Sequence, residues 1–384
     1  MTCAPRPKAS SPRIAIAGAG IIGLSCALEL ARRGATITLY DPNTPGRGAS
    51  WAAAGMIAPA FEAASEPGVH PKLFDLCLES ARLWPGFAAR LEADSGQAVG
   101  YAPGPSLAVA ADADSARHLD GILDTLTRRG LPGGRLDLDA ARAIEPALSP
   151  DLLGVLQLET DGHVNNRAVV SALLAVCDRD PAITLTRTAA PLHSRGSTLE
   201  IEGHDAILVT AGWQSGALKV TEHGKQFSLV NWESSLDEID TYGGQMLSVE
   251  RRADHPATTL RSGAIYMVPR GDQLVIGATM EPGRTEGMPN TDDISGLLAD
   301  ASRIAPSLSD ARITSTWSGV RPGTPDFAPF LGRTQQPNMF VAAGHYRNGI
   351  LLTPVTAQII ADMMLGAGAH ELAAAFSPAR ALPA

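Results

Sequence analysis

The sequence predicts an α/β protein in which a discontinuous Rossmann-like domain is interrupted by an inserted α+β domain built on an antiparallel sheet. Three observations predict this fold: a glycine-rich turn between a strand and a helix near the start, buried strands that end in small-residue turns in the middle and near the end, and strand-rich stretches between them. The chain has 384 residues, too many for most single cores. We assign residues 13–75, 155–215 and 315–370 to the first domain, 76–154 and 216–314 to the second, and 1–12 and 371–384 to tails.

The first turn carries the glycine pattern G-x-G-x-x-G between an apolar strand and a helix. Gly18 can take the tight turn, Gly20 lets the backbone approach a pyrophosphate, and Gly23 lets the helix and strand pack closely. The next predicted strand ends at Asp41, where a carboxylate can accept hydrogen bonds from the hydroxyls of an adenosine ribose. A glycine turn without a ligand is the alternative, but the order of strand, turn, helix, strand and acid favours a dinucleotide site.

The later elements follow from hydrophobic periodicity and from turn-forming residues. Helices are predicted over residues 70–95, 112–129, 167–178, 291–304 and 350–365. Strands are predicted at 107–110, 183–185, 199–201, 206–213, 264–268, 274–279 and 339–343. The turn-rich loop 42–50 leads into the small, apolar segment 51–59, which suits close approach to a flat ligand, whereas residues 214–242 are the least regular part of the chain.

Composition and charge exclude several classes of protein. The net charge of −9 gives no basic surface for a nucleic acid. The four cysteines are scattered and the histidines isolated, so no metal site is expected and reduced thiols in the cytoplasm are the simplest interpretation. A basic start before an apolar run imitates a signal peptide, but the glycines inside that run favour a strand, a turn and a helix. We expect no membrane-spanning segment, because no other stretch has about 20 consecutive apolar residues.

Eight segments, in order over nearly the whole chain, resemble the D-amino-acid oxidase family of FAD enzymes, and within it the glycine oxidases of the thiazole branch of thiamine synthesis. They are residues 18–27, 48–56, 161–164, 211–213, 266–270, 277–280, 317–324 and 344–352. The most specific are Trp317-Ser318-Gly319-Val320-Arg321-Pro322-Gly323-Thr324 and Gly344-His345-Tyr346-Arg347-Asn348-Gly349. One departure is the connection 214–242, which is roughly ten residues longer than is usual in the family. We expect it to cover or border the active site and to control substrate size; a solvent-exposed insertion is the alternative.

The substrate-binding candidates are Arg321, Tyr266, Met280 and Arg347. A guanidinium can form two parallel hydrogen bonds with a carboxylate, which a lysine cannot, so Arg321 is the leading partner for a substrate carboxylate. The resemblance implies the same role for Arg321, makes Tyr266 a second donor to that carboxylate and so completes a catalytic pair. It also implies that Met280 is an apolar wall and Arg347 a charge near the pocket mouth. The plainer alternatives are an ion pair for Arg321, core positions for Tyr266 and Met280, and loop support for Arg347.

The resemblance implies FAD as the cofactor and assigns a set of residues to it. They are Gly18, Ala19, Gly20, Ile22, Gly23, Asp41, Ala49, Ser50, Ala53, Ala54, Gly55, Met56, Ala211, Gly212, Trp213, Gly319, His345, Arg347, Asn348, Gly349 and Ile350. We expect non-covalent binding, because relatives attach the flavin through a cysteine in the C-terminal part or a histidine after the second strand. Here Cys177 is the last cysteine, and residues 42–69 contain no histidine. The last helix, expected just after Asn348 and Gly349, would direct its positive end at the reduced flavin.

The activity that these features imply is the oxidation of glycine or another small amino acid to the imine. O₂ would be reduced to H₂O₂, and the imine would give the oxo acid and ammonia or feed thiazole synthesis. No protein base is needed for hydride transfer from a neutral amine, so His345 receives no such role. Three alternatives stay open: a D-amino-acid dehydrogenase that passes electrons to another acceptor, a sarcosine-like N-methyl amino-acid oxidase, and a non-catalytic flavin-binding module. Association into a homo-oligomer is also left open.

Overall fold

The computed structural model describes residues 11–61, 68–263, 265–285, 287–366, 368, 370–380 and 382. The tail predicted over residues 1–12 therefore lies almost entirely outside the described residues. Helices are α1 Ile21–Arg32, α2 Ala49–Ala52, α3 Leu73–Ser95, α4 Ala113–Arg129, α5 Leu138–Ile144, α6 Asn166–Arg179, α7 Thr291–Ile304 and α8 Thr353–Leu365. No helix within these ranges combines the length and the apolar character needed to cross a membrane.

The strands form a largely parallel sheet, a largely antiparallel sheet and two smaller ones. They are β1 Arg13–Ala17, β2 Thr36–Tyr40, β3 Met56–Ile57, β4 Ser106–Ala110, β5 Gly133–Leu136, β6 Gly154–Leu158, β7 Gly162–His163, β8 Ile183–Thr186, β9 Leu192–Arg195, β10 Thr198–Glu200, β11 Ala206–Val209, β12 Lys219–Glu222, β13 Lys225–Ser228, β14 Asp240–Glu250, β15 Leu260–Ser262, β16 Ile265–Arg270, β17 Gln273–Gly277, β18 Glu281–Pro282, β19 Ile313–Gly323, β20 Phe330–Arg333 and β21 Met339–Ala343. Residues 206–213, predicted as a buried strand that ends in a small-residue turn, form β11 followed by a 3₁₀ turn at Gly212–Gln214.

The first sheet has the strand order β20-β21-β11-β1-β2-β8, and all of its pairs are parallel except that of β20 with β21. Alternate residues of β1 are buried on opposite faces. Ile14 and Ile16 pack against α1, α6 and α8, whereas Ala15 and Ala17 face a second core on the other side. Strands drawn from the beginning, middle and end of the chain thus form one sheet, which confirms the discontinuous Rossmann-like domain.

The other face of this sheet is covered by a four-stranded sheet in the order β10-β9-β12-β13. Val220 and Leu229 are fully buried there against Ile207 and Val209 of β11. The sequence assigned residues from 216 onward to the inserted domain, and the structure corrects that assignment for residues 219–229. Their few apolar side chains pack on the nucleotide-type sheet, because β12 pairs in parallel with β9 behind it.

The inserted domain is built on a nine-stranded sheet in the order β18-β14-β17-β16-β15-β4-β6-β5, with β19 paired to β14. The sequence assigned residues 155–158 of β6 and 315–323 of β19 to the first domain, but their strand pairing places them in this sheet. The pairing is antiparallel except between β15 and β4. Helix α4 covers one face and α7 the other. Helix α4 begins where the Asp112 side chain accepts from Ser115 N, and it ends at Gly130 with a φ of +62°. The antiparallel α+β domain expected from the sequence is therefore present.

The segment 371–380, which the sequence assigned to a tail, is packed against the first domain. Phe376 is fully buried in the same core as α8. Arg380 forms an ion pair with Asp326 at 2.7 Å, with side-chain exposures of 7% and 6%. The prediction failed because this segment lacks periodicity, and only the tertiary structure shows that an isolated aromatic and an isolated arginine have buried partners.

Candidate active site

A cavity of about 560 Å³ lies at the carboxyl ends of the parallel strands, where an open α/β sheet binds its ligands. Gly18 follows β1, Asp41 follows β2, Ala211 follows β11 and His345 follows β21, and all four line the cavity. The inserted domain closes the other end with residues that include Arg321 of β19. The cavity therefore reaches from the nucleotide-type turn to the antiparallel sheet.

The glycine turn leaves no room for side chains. Gly18 has a φ of +114°, and a Cβ there would lie 2.6 Å from the carbonyl oxygen of Thr210. A Cβ on Gly23 would lie 1.9 Å from the carbonyl oxygen of Gly18, so this glycine allows α1 to pack against the turn. Ser50 Oγ accepts from Ile21 N at 2.9 Å and so satisfies one of the amides in the first turn of α1.

Asp41 is fixed at the cavity wall by two backbone amides. Its carboxylate accepts from Ala19 N and from Asn43 N, both at 2.9 Å. These bonds use only part of the accepting capacity of a carboxylate, which has about four lone-pair directions. Asp41 can therefore also accept from a ligand hydroxyl.

All but three of the proposed cofactor-binding residues line the cavity. The three exceptions are Ala19, Gly23 and Asn348. Ala19 contributes its amide to Asp41, and Gly23 packs behind the turn. Asn348 is buried, and its Oδ1 has no hydrogen-bond partner among the described residues. These three residues lie behind the cavity wall and support it. The sequence motif alone could not distinguish such supporting residues from the residues that line the cavity.

The last helix begins later than the sequence indicated. A 3₁₀ turn, Tyr346–Asn348, comes first, and α8 starts at Thr353. The amides of Leu352 and Thr353 already donate to Asn348 O and Ile350 O. The cavity is consequently lined by Gly349 and Ile350, which precede the helix, rather than by its first turn.

Arg321 extends along a gap left by a glycine on the neighbouring strand. A Cβ on Gly244 would lie 2.5 Å from both terminal nitrogens of Arg321. Its Nη1 donates to the carbonyl oxygens of Gly243 and Thr279 at 3.2 and 3.4 Å. Across the described ranges, no carboxylate lies within ion-pairing distance of this guanidinium. The arginine is therefore a half-buried cation with neutral acceptors, as a substrate carboxylate requires.

Tyr266, Met280 and Arg347 lie at the same end of the cavity. The buried Tyr266 hydroxyl donates to Met246 Sδ at 3.0 Å, and a thioether is a weak acceptor. Met280 is 40% exposed, with its sulfur 3.9 Å from Arg321 Nη1, so it borders the opening and is not a core residue. Arg347 lies on the 3₁₀ turn before α8.

The sequence missed Tyr346, which lies beside these residues. Its hydroxyl donates to Met280 Sδ at 3.5 Å, and its ring packs against Tyr242 and Phe327 at 4.9 Å between centroids. It holds this position with a φ of +49°, a conformation rare for residues other than glycine. The signal was available, because Tyr346 belongs to one of the two most specific motifs.

His345 lines the cavity as a neutral side chain. It is buried, and its Nε2 lies 3.1 Å from Thr356 Oγ1. Burial lowers the pKa of His345 to about 3, since the charged form would lose its hydration. An imidazole with this pKa is uncharged at neutral pH, so it can interact with a ligand through hydrogen bonds but not through a positive charge.

These features fit an FAD. The glycine turn, with Gly18 and Gly20 in the cavity lining, and the start of α1 provide a cradle for a pyrophosphate. Asp41 is positioned for a ribose, and the small residues Ala53 and Ala54 in the cavity lining leave room for the close approach of a ring system. The antiparallel sheet then supplies the cation and the hydroxyl at the far end.

Comparison with known proteins agrees with this assignment. The family model described as FAD dependent oxidoreductase (DAO) matches residues 13–363. The bifunctional protein ThiO/ThiG of Synechocystis sp. is 33% identical over 96% of this chain and 54% of that protein, so the chain spans about half the length of this relative. Glycine oxidase of Geobacillus kaustophilus is 30% identical over 91% of this chain and 92% of the relative. The crystal structure of glycine oxidase from that species superposes with a TM-score of 0.84 and 28% identity, covering 97% of this chain and 100% of that one.

A more distant structure shows how far the fold extends. Iminodiacetate oxidase from Chelativorans sp. superposes with a TM-score of 0.81 at 24% identity, covering 95% of this chain and 99% of that one. The resemblance that the sequence motifs indicated is confirmed. The chain belongs to the DAO family of FAD-dependent oxidoreductases, and its cofactor is FAD.

Proposed function

We propose that the protein oxidises the amino group of glycine or of another small amino acid, with the substrate carboxylate held by Arg321 and Tyr266. The observation that carries the proposal is the state of Arg321. Its guanidinium lies in the cavity wall, and within the described part of the chain only neutral groups accept from it. Glycine oxidases of about 30% identity support the substrate class.

The protein groups act on the substrate in three ways. Arg321 binds both oxygens of the carboxylate, and the Tyr266 hydroxyl exchanges the Met246 sulfur for a carboxylate oxygen, which is a better acceptor. Met280 and Tyr346, in contact with each other, cover the opening and limit the access of water. Arg347 adds positive charge at the mouth. These contacts hold the α-carbon in one orientation.

When bound, FAD supplies the redox chemistry by accepting two electrons with the α-hydrogen of the substrate. The neutral His345 cannot act as a strong base, and the proposal requires none, provided that the substrate amine reacts in its uncharged form. We propose non-covalent binding of FAD and O₂ as the electron acceptor, which gives H₂O₂. Supply of the imine to thiazole synthesis is proposed on the strength of the ThiO/ThiG relatives.

The test is a substrate screen on the purified yellow protein. Glycine, sarcosine, D-alanine and D-proline are offered in turn, with flavin bleaching followed anaerobically and with O₂ consumption and H₂O₂ followed in air. We expect bleaching and H₂O₂ with the smallest substrates. Bleaching without O₂ consumption would instead show a dehydrogenase with another acceptor. If no amino acid bleaches the flavin, the proposed function is wrong.

A further inference from the structure

Five consecutive carbonyl groups, those of residues 50–54, each accept a hydrogen bond from a side chain. Asn166 Nδ2 donates to Ser50 O and Trp51 O at 2.7 and 3.2 Å, Arg167 Nε to Trp51 O at 3.3 Å, Trp317 Nε1 to Ala52 O at 2.9 Å, and Arg270 Nη2 to Ala53 O and Ala54 O at 3.4 and 3.0 Å. The donors lie on α6, β16 and β19, and residues 52–54 line the cavity. The segment is thus a wall of the cofactor site fixed from behind.

This wall belongs to the end of the cavity where the chemistry takes place. Ala54 shares an apolar cluster with Met246, Tyr266 and Ala278. All four residues line the cavity near Arg321. The Arg270 guanidinium therefore lies behind two residues, Ala53 and Ala54, that line this end of the cavity.

Two of the donors are arginines without a carboxylate partner in the ranges that the structure describes. Arg270 Nη2 also donates to Asn166 Oδ1 at 2.7 Å, while its Nε is buried with no hydrogen-bond partner there. The guanidinium of Arg167 lies 3.7 Å from the ring centre of Trp51 and 4.6 Å from that of Trp317, and its Nη2 is likewise buried and unpaired. Within the described ranges, neither guanidinium forms an ion pair with a carboxylate.

The protonation states agree with this geometry. Burial lowers the pKa of Arg270 to about 10, and the charge of Arg167 contributes to the shift. Burial and the charge of Arg47 lower the pKa of Arg167. Both side chains are still protonated at neutral pH. Two like charges with incomplete solvation are unfavourable by themselves, and a negative charge that develops beside them is stabilised.

We propose that Arg270, and Arg167 more weakly, are positioning residues that fix residues 50–54 against the flavin and raise the two-electron reduction potential of the bound FAD. The oxidised flavin is neutral in its ring system. On taking up two electrons and one proton it becomes an anion, so the positive charges favour the reduced form. The inference deepens the proposed function, because that function needs a flavin that a small amino acid can reduce. It rests on the binding of FAD and not on the identity of the substrate.

The experiment measures the reduction potential of holoprotein variants by anaerobic equilibration with a reference dye. Arg270→Gln keeps a side-chain amide donor but removes the charge, Arg270→Lys keeps the charge, and Arg312→Gln removes an exposed arginine that pairs with Glu250. We expect Arg270→Gln to lower the potential by about 30 mV or more, equivalent to a tenfold loss in the equilibrium constant for two-electron reduction. We expect less than half of that shift in Arg270→Lys and none in Arg312→Gln.

An Arg270→Gln protein that retains FAD at an unchanged potential would overturn the inference. So would a shift of the same size in Arg270→Lys, because the effect would then follow hydrogen-bond geometry rather than charge. If Arg270→Gln does not retain FAD, Arg167→Gln decides: a lowered potential supports the inference and an unchanged one overturns it. No amino acid enters this measurement, so its result is independent of whether the proposed substrate is correct.

Discussion

At the scale of single residues, a glycine on one strand determines what an arginine on the next can do. Gly244 and Arg321 lie on the paired strands β14 and β19, and any side chain at 244 would occupy the place of the guanidinium. The arginine therefore lies against the sheet, and its partners among the described residues are two carbonyl oxygens and the Met280 sulfur. A cation held in this way has lost part of its hydration without gaining an ionic partner.

Replacing Arg321 tests whether it is the carboxylate partner. Arg321→Ala leaves a substrate carboxylate unpaired in a partly closed site, at a cost of about 3–5 kcal/mol. We expect kcat/KM for amino acids to fall by roughly 10²- to 10³-fold or more. Arg321→Lys should recover only part of this loss, because lysine lacks the planar fork. The damage should be selective: FAD affinity should stay normal, and amines without a carboxylate should be much less affected. Normal kinetics in Arg321→Ala would shift the assignment to Arg347.

Replacing Asp41 tests the nucleotide end of the site. Its carboxylate, held by two amides, is expected to accept hydrogen bonds from the ribose, each contributing about 1.5–3 kcal/mol. Titration of the Asp41→Ala apoprotein with FAD should therefore give an affinity at least roughly tenfold weaker. Asp41→Asn is the matched control, and we expect an intermediate affinity for it. Equal affinities in all three proteins would remove the ribose assignment.

At the scale of elements, the long connection after Trp213 does two different things. Its first part, including Leu218 and Lys219, lines the cavity on the side of Asp41, and β12 and β13 then pack behind the parallel sheet. Its last part reaches the substrate end, where Tyr242 contacts Tyr346. Control of substrate size by the whole connection stays a prediction, but only the residues near Tyr242 are placed to exert it.

A core substitution in β12 separates the two parts. Val220 is fully buried between the small sheet and β11, so Val220→Ala should lower the free energy of unfolding by about 2 kcal/mol. We expect weaker FAD retention at elevated temperature and no change in the ratio of kcat/KM between glycine and D-alanine. Thermal unfolding and paired kinetics check both statements. A changed ratio would show that the β12–β13 hairpin reaches the substrate.

The hairpin also shows where sequence patterns are insufficient. Its two turn residues, His223 and Gly224, have φ values of +48° and +76°, as a two-residue hairpin turn requires. His-Gly is not one of the dipeptides typical of such a turn, which are Asn-Gly, Asp-Gly and Gly-Gly, so it gave no hairpin signal. By contrast, the turn at Gly18 was predictable. The order and spacing of the strand, the glycines, the helix and the acid match the known dinucleotide-binding pattern, which is set by the chain geometry needed to bind a phosphate.

The same distinction applies to the candidate site. Arg321 and Tyr266 lie in motifs whose residues are close in sequence, so the resemblance indicated them. Arg270 lies in one of the same motifs, yet its partners are carbonyl groups more than 200 positions earlier. Such long-range backbone contacts leave no periodic trace in the sequence, and only the folded chain reveals them.

At the scale of the whole molecule, the C-terminal segment fastens the first domain. Arg380 binds both carboxylate oxygens of Asp326 and also donates to the carbonyl oxygen of Pro329. Burial alone would raise the pKa of Asp326, but the hydrogen bond and charge of Arg380 outweigh it and lower the pKa. A depressed carboxyl pKa stabilises the folded protein above the unfolded pKa of about 3.9, and that stability is lost as the pH falls through the folded value.

Breaking this ion pair should destabilise the fold in a pH-dependent way. Arg380→Ala leaves Asp326 buried and unpaired, at a cost of about 3–5 kcal/mol near neutral pH. We expect the difference in stability from the wild type to shrink as the pH is lowered below about 4, where Asp326 becomes protonated in the unfolded chain and then, at lower pH, in the folded wild type. Urea denaturation at pH 7 and pH 3.5 checks this. A pH-independent difference would mean that packing, and not the charge, is responsible.

Strand β19 fixes the distance between two residues that line the cavity. Gly319, which packs on Ala52 of the cofactor wall, and Arg321 are two residues apart and share a face of the strand. An extended chain advances about 3.3 Å per residue, so some 6.6 Å of covalent backbone separates Gly319 from Arg321, the proposed partner of the substrate carboxylate. Because both residues belong to one strand, a change in the relative orientation of the two domains does not alter this separation. A single residue inserted after Gly319 would not simply increase this separation, because it would turn the arginine to the opposite side of the sheet.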